Sequence, residues 1–530
     1  MDVSFPLAKY AARHWIIHAI SGSKTESQST SVFLLMMKLL TEENTAFVNW
    51  VRLCNINEMH HLNLQKERVD IAKPLYYASL AGLTEATHAL LEMGADINAQ
   101  GGTYGNALQA AASANHFAIA KLLIENGANI DAKGGYYGNA LQAASYQGHE
   151  AIARLLIEKG ADVNVQGGEF GNALQAASNR GHETIASLLI ENEADVNARA
   201  GYYGNALQAA SYLGHETIAK LLIEHGADIN AQGGHYGNAL QATSNEGHEA
   251  IAKLLIENRA DVNAKGGYYG NALQAASDEG HEVIEKYLIE NGADVNAQGG
   301  KFGNALQAAS YGGHEAIAKL LIEKGADVNV QGGEYGYALQ AASYQGQEAI
   351  ANLLIKNGAA INAQEKYFGN ALQVASIEGH EAIAMLLIEN GADVNAQGGY
   401  YGNALQAASY GGHEAIAKCL IENGAAVNAQ GGRYGSAIQA ASYANHEAIA
   451  QLLIENGADV NIQGGEYGNA LEAALNEGLQ AIVKLLIENG ANISAKGGYY
   501  GNALQAPRVL TENGADVNIQ GGEYGNAHIL

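Results

Sequence analysis

Residues 134–166 read GGYYGNALQAASYQGHEAIARLLIEKGADVNVQ, and the pattern returns every 33 residues. Gly-Gly or its remnant recurs at 101, 134, 167, 200, 233, 266, 299, 332, 365, 398, 431, 464 and 497. One copy is too short to bury its own apolar face. A fixed period of this size therefore predicts a solenoid, in which each copy covers its neighbours.

The order of residues within a copy explains its shape. Asn139-Ala140-Leu141-Gln142 has the logic of a reciprocal cap. Asn139 is placed to accept from the Gln142 N–H, while the Gln142 side chain reaches back to the Asn139 N–H. Ala143 and Ala144 keep this first helix slim, so that neighbouring copies approach closely. Gly148 breaks the chain, and His149-Glu150 opens a second helix with a negative charge at its positive end. Ile152, Leu155 and Leu156 fall at i, i+3 and i+4 and face the core. Gly160 supplies the left-handed residue that ends the helix. Glu193 and Arg259 stand where that glycine is expected, and a left-handed backbone at either costs about 1 kcal/mol.

As a whole the copy resembles the ankyrin repeat, with Asn-Ala-Leu-Gln where the common pattern has Thr-Pro-Leu-His. The resemblance implies an all-α ankyrin-repeat solenoid of about 13 helix–turn–helix repeats with β-turn tips, preceded by a helical N-terminal segment. Four stretches are expected. Residues 1–67 form a helical capping or linker segment, because a terminal repeat needs a cover. Residues 68–100 are a degenerate first repeat, 101–496 hold twelve full repeats, and 497–530 are truncated. Between Gly497 and Gln520 only 24 residues stand where 33 are expected, so nine are missing after Ala506. They remove the turn between the two helices, and fraying is expected there.

Formal net charge is −26 (29 basic, 55 acidic residues), an acidic balance that repels phosphate backbones and argues against nucleic acid as a partner. Cys54 and Cys419 lie far apart, outside any CxxC motif, which suggests a reducing compartment without a disulfide framework. The residues after Met1 do not read as a signal peptide. The apolar run Val32–Leu40 is interrupted by Lys38 and is half the length of a bilayer span. The expectation is a soluble, cytoplasmic, monomeric protein that does not insert into membranes.

Nothing in the sequence points to catalysis, a cofactor or a metal. His116, His149, His182, His215, His248, His281, His314, His380, His413 and His446 share one repeat position. Packed helices lie about 8–10 Å apart, whereas zinc holds its nitrogens within about 2.1 Å. Gln347 and Leu479 also occupy the column. An imidazole bonded to backbone near the inter-helix turn is the expected role. Asp162 and its equivalents come once per repeat without a second acid of contrasting environment. Ser21-Gly22-Ser23-Lys24-Thr25 lacks the earlier glycine that a phosphate loop needs.

Comparison of the copies isolates the positions free to differ. Position three, counted from the first glycine, runs Thr103, Tyr136, Glu169, Tyr202, His235, Tyr268, Lys301, Glu334, Tyr367, Tyr400, Arg433, Glu466 and Tyr499. Position thirteen includes Tyr146, Asn179, Tyr212, Asn245, Asp278, Tyr311, Tyr344, Ile377, Tyr410 and Tyr443, and position fourteen varies freely. Position four is always Tyr or Phe, which fits packing. In ankyrin-like arrays the tips and the exposed end of helix one line the concave face. Tyrosine offers large contact area there at low entropy cost. Candidate contacts for a protein partner are Tyr136, Tyr146, Tyr202, Tyr212, Lys301, Tyr311, Tyr344, Tyr400, Tyr410 and Arg433.

Two N-terminal pieces, Phe5–Trp15 (FPLAKYAARHW) and Phe47–Leu53 (FVNWVRL), resemble the stretch joining a NACHT nucleotide-binding module to the ankyrin array of fungal NOD-like receptors. In that family the ankyrins sense a ligand and the NACHT module exchanges or hydrolyses nucleotide. Met1 falls after the place where that module would end, so no Walker residue carries over. The leading expectation is a non-catalytic protein-recognition array, equivalent to the sensor half of such a receptor. A constitutive intracellular scaffold and a fragment of a nucleotide-hydrolysing switch are the alternatives.

Overall fold

The computed structural model describes residues 71–493, together with Leu34 and residues 37–40. Nearly all of the expected N-terminal cap, the break after Ala506 and the closing stub lie outside them. The chain divides into two compact units, residues 1–261 and 262–530, and the same helix pair builds both. In the copy at 134–166 the helices are Ala140–Gln147 and Glu150–Glu158. The degenerate first repeat forms its pair as well, Pro74–Leu80 and Thr84–Glu92. Pro74 sits at the first helical position, where its missing N–H costs nothing. The last described pair is Ala470–Asn476 and Gln480–Glu488.

Within each unit, first helices stack on first helices more extensively than second on second. Side-chain size explains the difference: Ala143 and Ala144 are fully buried, so the backbones close in. Ile152, Leu156 and their counterparts complete the core, and Leu155 is nearly buried.

Polar groups then tie each repeat to the next. The Gln142 N–H donates to Asn139 Oδ1 at 2.8 Å, as the cap requires. The reciprocal bond closes at Asn106, Asn238 and Asn370, whose N–H groups donate to the glutamine Oε1. Gln142 has a second task that its spacing did not reveal. Its Nε2 lies 3.2, 3.1 and 2.8 Å from the carbonyl oxygens of Val165, Gly167 and Gly171, holding the following tip. Tyr337 takes the cap position in one copy and makes no side-chain cap.

The histidine column works in the opposite direction along the chain. His149 Nε2 is 3.1 Å from Ser113 O, and His182 Nε2 is 3.0 Å from Tyr146 O, each in the preceding repeat. These are the backbone bonds expected of the column. Burial lowers the pKa of His116, His149 and His182. Among the described residues no group of three His, Cys, Asp or Glu side chains is arranged to hold a metal.

A third tie runs along the loops after helix two. Asp162 Oδ1 accepts from the Asn164 N–H two residues on, at 2.9 Å. Asn164 Oδ1 in turn accepts from the Asp195 N–H at 2.8 Å, and its Nδ2 donates to Glu193 O at 3.1 Å. Asp162 thus shapes a loop. Glu193 and Arg259 are left-handed, with φ of 67° and 69°.

Candidate interaction surface

Each repeat ends in a tight tip. Gly134 N donates to Gly138 O at 2.7 Å, and an antiparallel bridge of this kind recurs from copy to copy. Gly135 has φ 63°, and a Cβ there would collide with the Tyr104 carbonyl of the preceding tip. That closeness permits a backbone ladder through position three. The Tyr136 N–H donates to Thr103 O at 2.8 Å, and the Glu169 N–H to Tyr136 O at 3.1 Å. In the second unit Lys301 and Glu334 continue from Tyr268, and Arg433 and Glu466 from Tyr400.

Side chains at position three are the accessible ones. Tyr136, Tyr202, Tyr268 and Tyr367 are exposed aromatics, with Tyr202 at 55 % and Tyr367 at 56 %. Arg433 is exposed, whereas Lys301 and Tyr400 are half-buried. His235 stacks on Tyr202 with ring centres 5.7 Å apart. Burial, and next the Glu169 carboxylate, hold the Tyr136 phenol above its usual range.

Position four forms a stacked aromatic spine. Tyr104–Tyr137, Tyr335–Phe368 and Tyr434–Tyr467 have ring centres 5.6, 6.0 and 6.1 Å apart.

The position-thirteen candidates Tyr146, Tyr212, Tyr311, Tyr344 and Tyr410 are all half-buried. Four of these rings stack on the spine ring of the following repeat: Tyr146 on Phe170 at 4.2 Å, Tyr212 on Tyr236 at 4.4 Å, Tyr410 on Tyr434 at 4.7 Å and Tyr311 on Tyr335 at 4.8 Å. The fifth, Tyr344, meets Phe368 edge-on at 5.9 Å. Tyr335 and Tyr434, flanked by such tyrosines on both sides, are buried. Each ring therefore covers the spine and leaves only part of its surface to solvent. Sequence comparison separated positions four and thirteen because one is constant and the other varies. Helix-one geometry brings them into a single stack.

The two candidate cations are engaged within the chain. Lys301 Nζ lies 5.5, 5.0 and 5.4 Å from the ring centres of Tyr268, Phe302 and Tyr311. Arg433 lies over the Tyr400 ring at 5.4 Å and bonds the Tyr400 hydroxyl and the Glu466 carboxylate. Asp278 replaces tyrosine at position thirteen. Burial and then Glu279 push its carboxyl up to about 7, against the pull of Lys301.

Within each unit, stacked helix pairs with hairpin-like tips, tied copy to copy, define a helical-repeat solenoid that presents side chains at its tips. The family described as "Ankyrin repeats (3 copies)" matches residues 35–134, 75–167, 141–233, 239–332, 306–398, 338–431, 372–464 and 405–497, and the chain belongs to it. It is similar to "Azaphilone pigments biosynthesis cluster protein L" of Monascus ruber, 37% identical over 129 residues. That match spans 22% of this chain and 27% of the relative's length. Among solved structures it is similar to the human ASB11 ankyrin repeat domain, at 25% identity and TM-score 0.38. That match covers 42% of this chain and 98% of the other. Among the described residues no helix is long and apolar enough to cross a membrane.

Proposed function

We propose that this chain, whose ankyrin repeats mark a protein-interaction domain, is a monomeric recognition array whose ligand is a protein held at the tips. On the first unit Tyr136 and Tyr202 are outer contacts, and on the second unit Lys301, Tyr400 and Arg433 take that part. Tyr146, Tyr212, Tyr311, Tyr344 and Tyr410 support them and add their exposed edges. One observation carries the reading: exposed tyrosines recur at position three, and Tyr136, Tyr268 and Tyr367 among them are held by backbone bonds between neighbouring tips. Such rings are large, rigid contacts. A sensor role in fungal non-self recognition is the finer proposal, supported by the N-terminal resemblance.

The test compares two variants in affinity capture with quantitative mass spectrometry. One carries Tyr136, Tyr202, Tyr367 and Tyr400 replaced by Ser. The other carries Lys121, Lys253, Lys319 and Lys418 of helix two replaced by Ser. Loss of the same partner from the first variant alone supports the reading, provided both keep wild-type helical content. Equal capture by both defeats it. A foreign partner favours the sensor, and a resident cellular protein favours the scaffold.

A further inference from the structure

The second unit shows what its own tips do with a cation. At position three the order Tyr268, Lys301, Glu334 is matched by Tyr400, Arg433, Glu466. In both triplets the backbone ladder links the three residues in order. In both, the cation lies over the preceding tyrosine ring, at 5.5 and 5.4 Å. The following glutamate bonds Arg433 directly. The first unit repeats the pairing of ring and cation at a neighbouring position, where Arg180 lies 5.0 Å over the Tyr146 ring. The face of a tyrosine attracts cations, and an adjacent carboxylate adds Coulomb attraction.

Tyr136, Glu169 and Tyr202 place two rings and a carboxylate at successive position-three sites of the first unit. The Glu169 carboxylate lies against the Tyr136 hydroxyl and His235 is stacked on one face of Tyr202, so that the other faces are the ones open to a cation. The Glu169 N–H donates to Tyr136 O at 3.1 Å. Both tyrosines are exposed, at 42 % and 55 %, and Glu169 is exposed. The chain as a whole carries −26.

We infer that Tyr136, Glu169 and Tyr202 bind arginine or lysine side chains of an extended segment of the partner, in the manner of Lys301 and Arg433. Residues of alternate orientation in such a segment present successive cations to successive tips. The inference rests on the recognition role proposed above and names the chemistry of the ligand.

The probe is a short fluorescent peptide alternating glycine and arginine, titrated into the full chain at low salt and followed by anisotropy. Its partner probe carries citrulline for arginine, which keeps the shape and removes the charge. The arginine peptide is expected to bind and the citrulline peptide to bind at least about fivefold more weakly. Glu169→Gln and Tyr202→Ser are each expected to weaken the arginine peptide about fivefold, the loss from removing one exposed contact of this kind. Glu158→Gln, an exposed acid on helix two of the same unit, is expected to leave it unchanged. Equal binding of both peptides, or equal weakening by Glu158→Gln and Glu169→Gln, overturns the inference. Absence of peptide binding while the tyrosine-dependent partner is still captured rejects the cationic ligand and leaves the recognition role standing.

Discussion

Glu285 offers the sharpest test of how the scaffold tolerates a misplaced charge. Every other described copy from residue 101 onward has Ala or Val at this helix-two position, and Glu285 is fully buried. Ser277 Oγ lies 2.7 Å from Leu273 O and 3.0 Å from Glu285 Oε2, while Oε1 has no partner. A hydroxyl has one proton, so both serine contacts are hydrogen bonds together only when Glu285 is protonated and donates to Oγ. Burial pushes the carboxyl from 4.5 up to about 8; the Ser277 hydroxyl opposes the rise when it turns from Leu273 O to donate to the carboxylate, and Glu282 adds to it. Between those values the unfolded chain has lost the proton that the folded chain keeps, so stability falls as pH rises. The slope is about 1.4 kcal/mol per pH unit, which amounts to about 3 kcal/mol at pH 7 from the two pKa values.

Glu285→Gln keeps the shape and removes the titration. Repeat arrays open locally, so the assay is amide hydrogen exchange in helix Glu282–Glu290. Protection should match wild type near pH 4.5 and exceed it progressively toward pH 8. A difference independent of pH refutes the reasoning.

Three further outcomes are expected. Glu193→Gly and Arg259→Gly should each stabilise by about 1 kcal/mol, read as a higher thermal midpoint, since both backbones are left-handed; unchanged midpoints reject the strain. Gln142→Ala should cost about 1–3 kcal/mol by removing the amide donors that serve the carbonyls of Val165 and Gly167, while Gly171 O keeps the Gly167 N–H. The loss should appear as faster exchange in the 167–171 tip, with little change in tips further along. Acid should destabilise the first unit through His116, His149 and His182, whose pKa values are lowered by burial. The unfolded chain binds more protons, so stability is full above about pH 6.5 and falls below it. Replacing the three by Gln, which occupies the column naturally at 347, should flatten that fall in a urea titration repeated at pH 7.5 and 5.5.

The period alone determined the helix pair, its cap, its stop signal and the stacking, because each depends on residues a few places apart. Gly148, Ile152 and Gly160 do in the structure what their spacing implies, whereas at Asn139 only half of the expected reciprocal cap is made: Asn139 accepts from the Gln142 N–H, and the return bond from its own N–H to Gln142 Oε1 is absent. Sequence comparison also separated the fixed from the variable positions. Distances between copies were decided only in three dimensions. The reach of Gln142 into the next tip, of His149 back to Ser113, and of Asn164 across to Asp195 spans 29, 36 and 31 residues. The same packing divided the tyrosines. Position thirteen lies on a helix that turns its rings onto the aromatic spine, so Tyr146 and Tyr410 are half-buried supports. Position three lies at the tip, where Tyr136 bonds the neighbouring tips through its backbone, and Tyr136 and Tyr202 keep their rings exposed. Variation along a repeat records which side chains are free to differ, but exposure depends on what the adjacent repeat leaves uncovered.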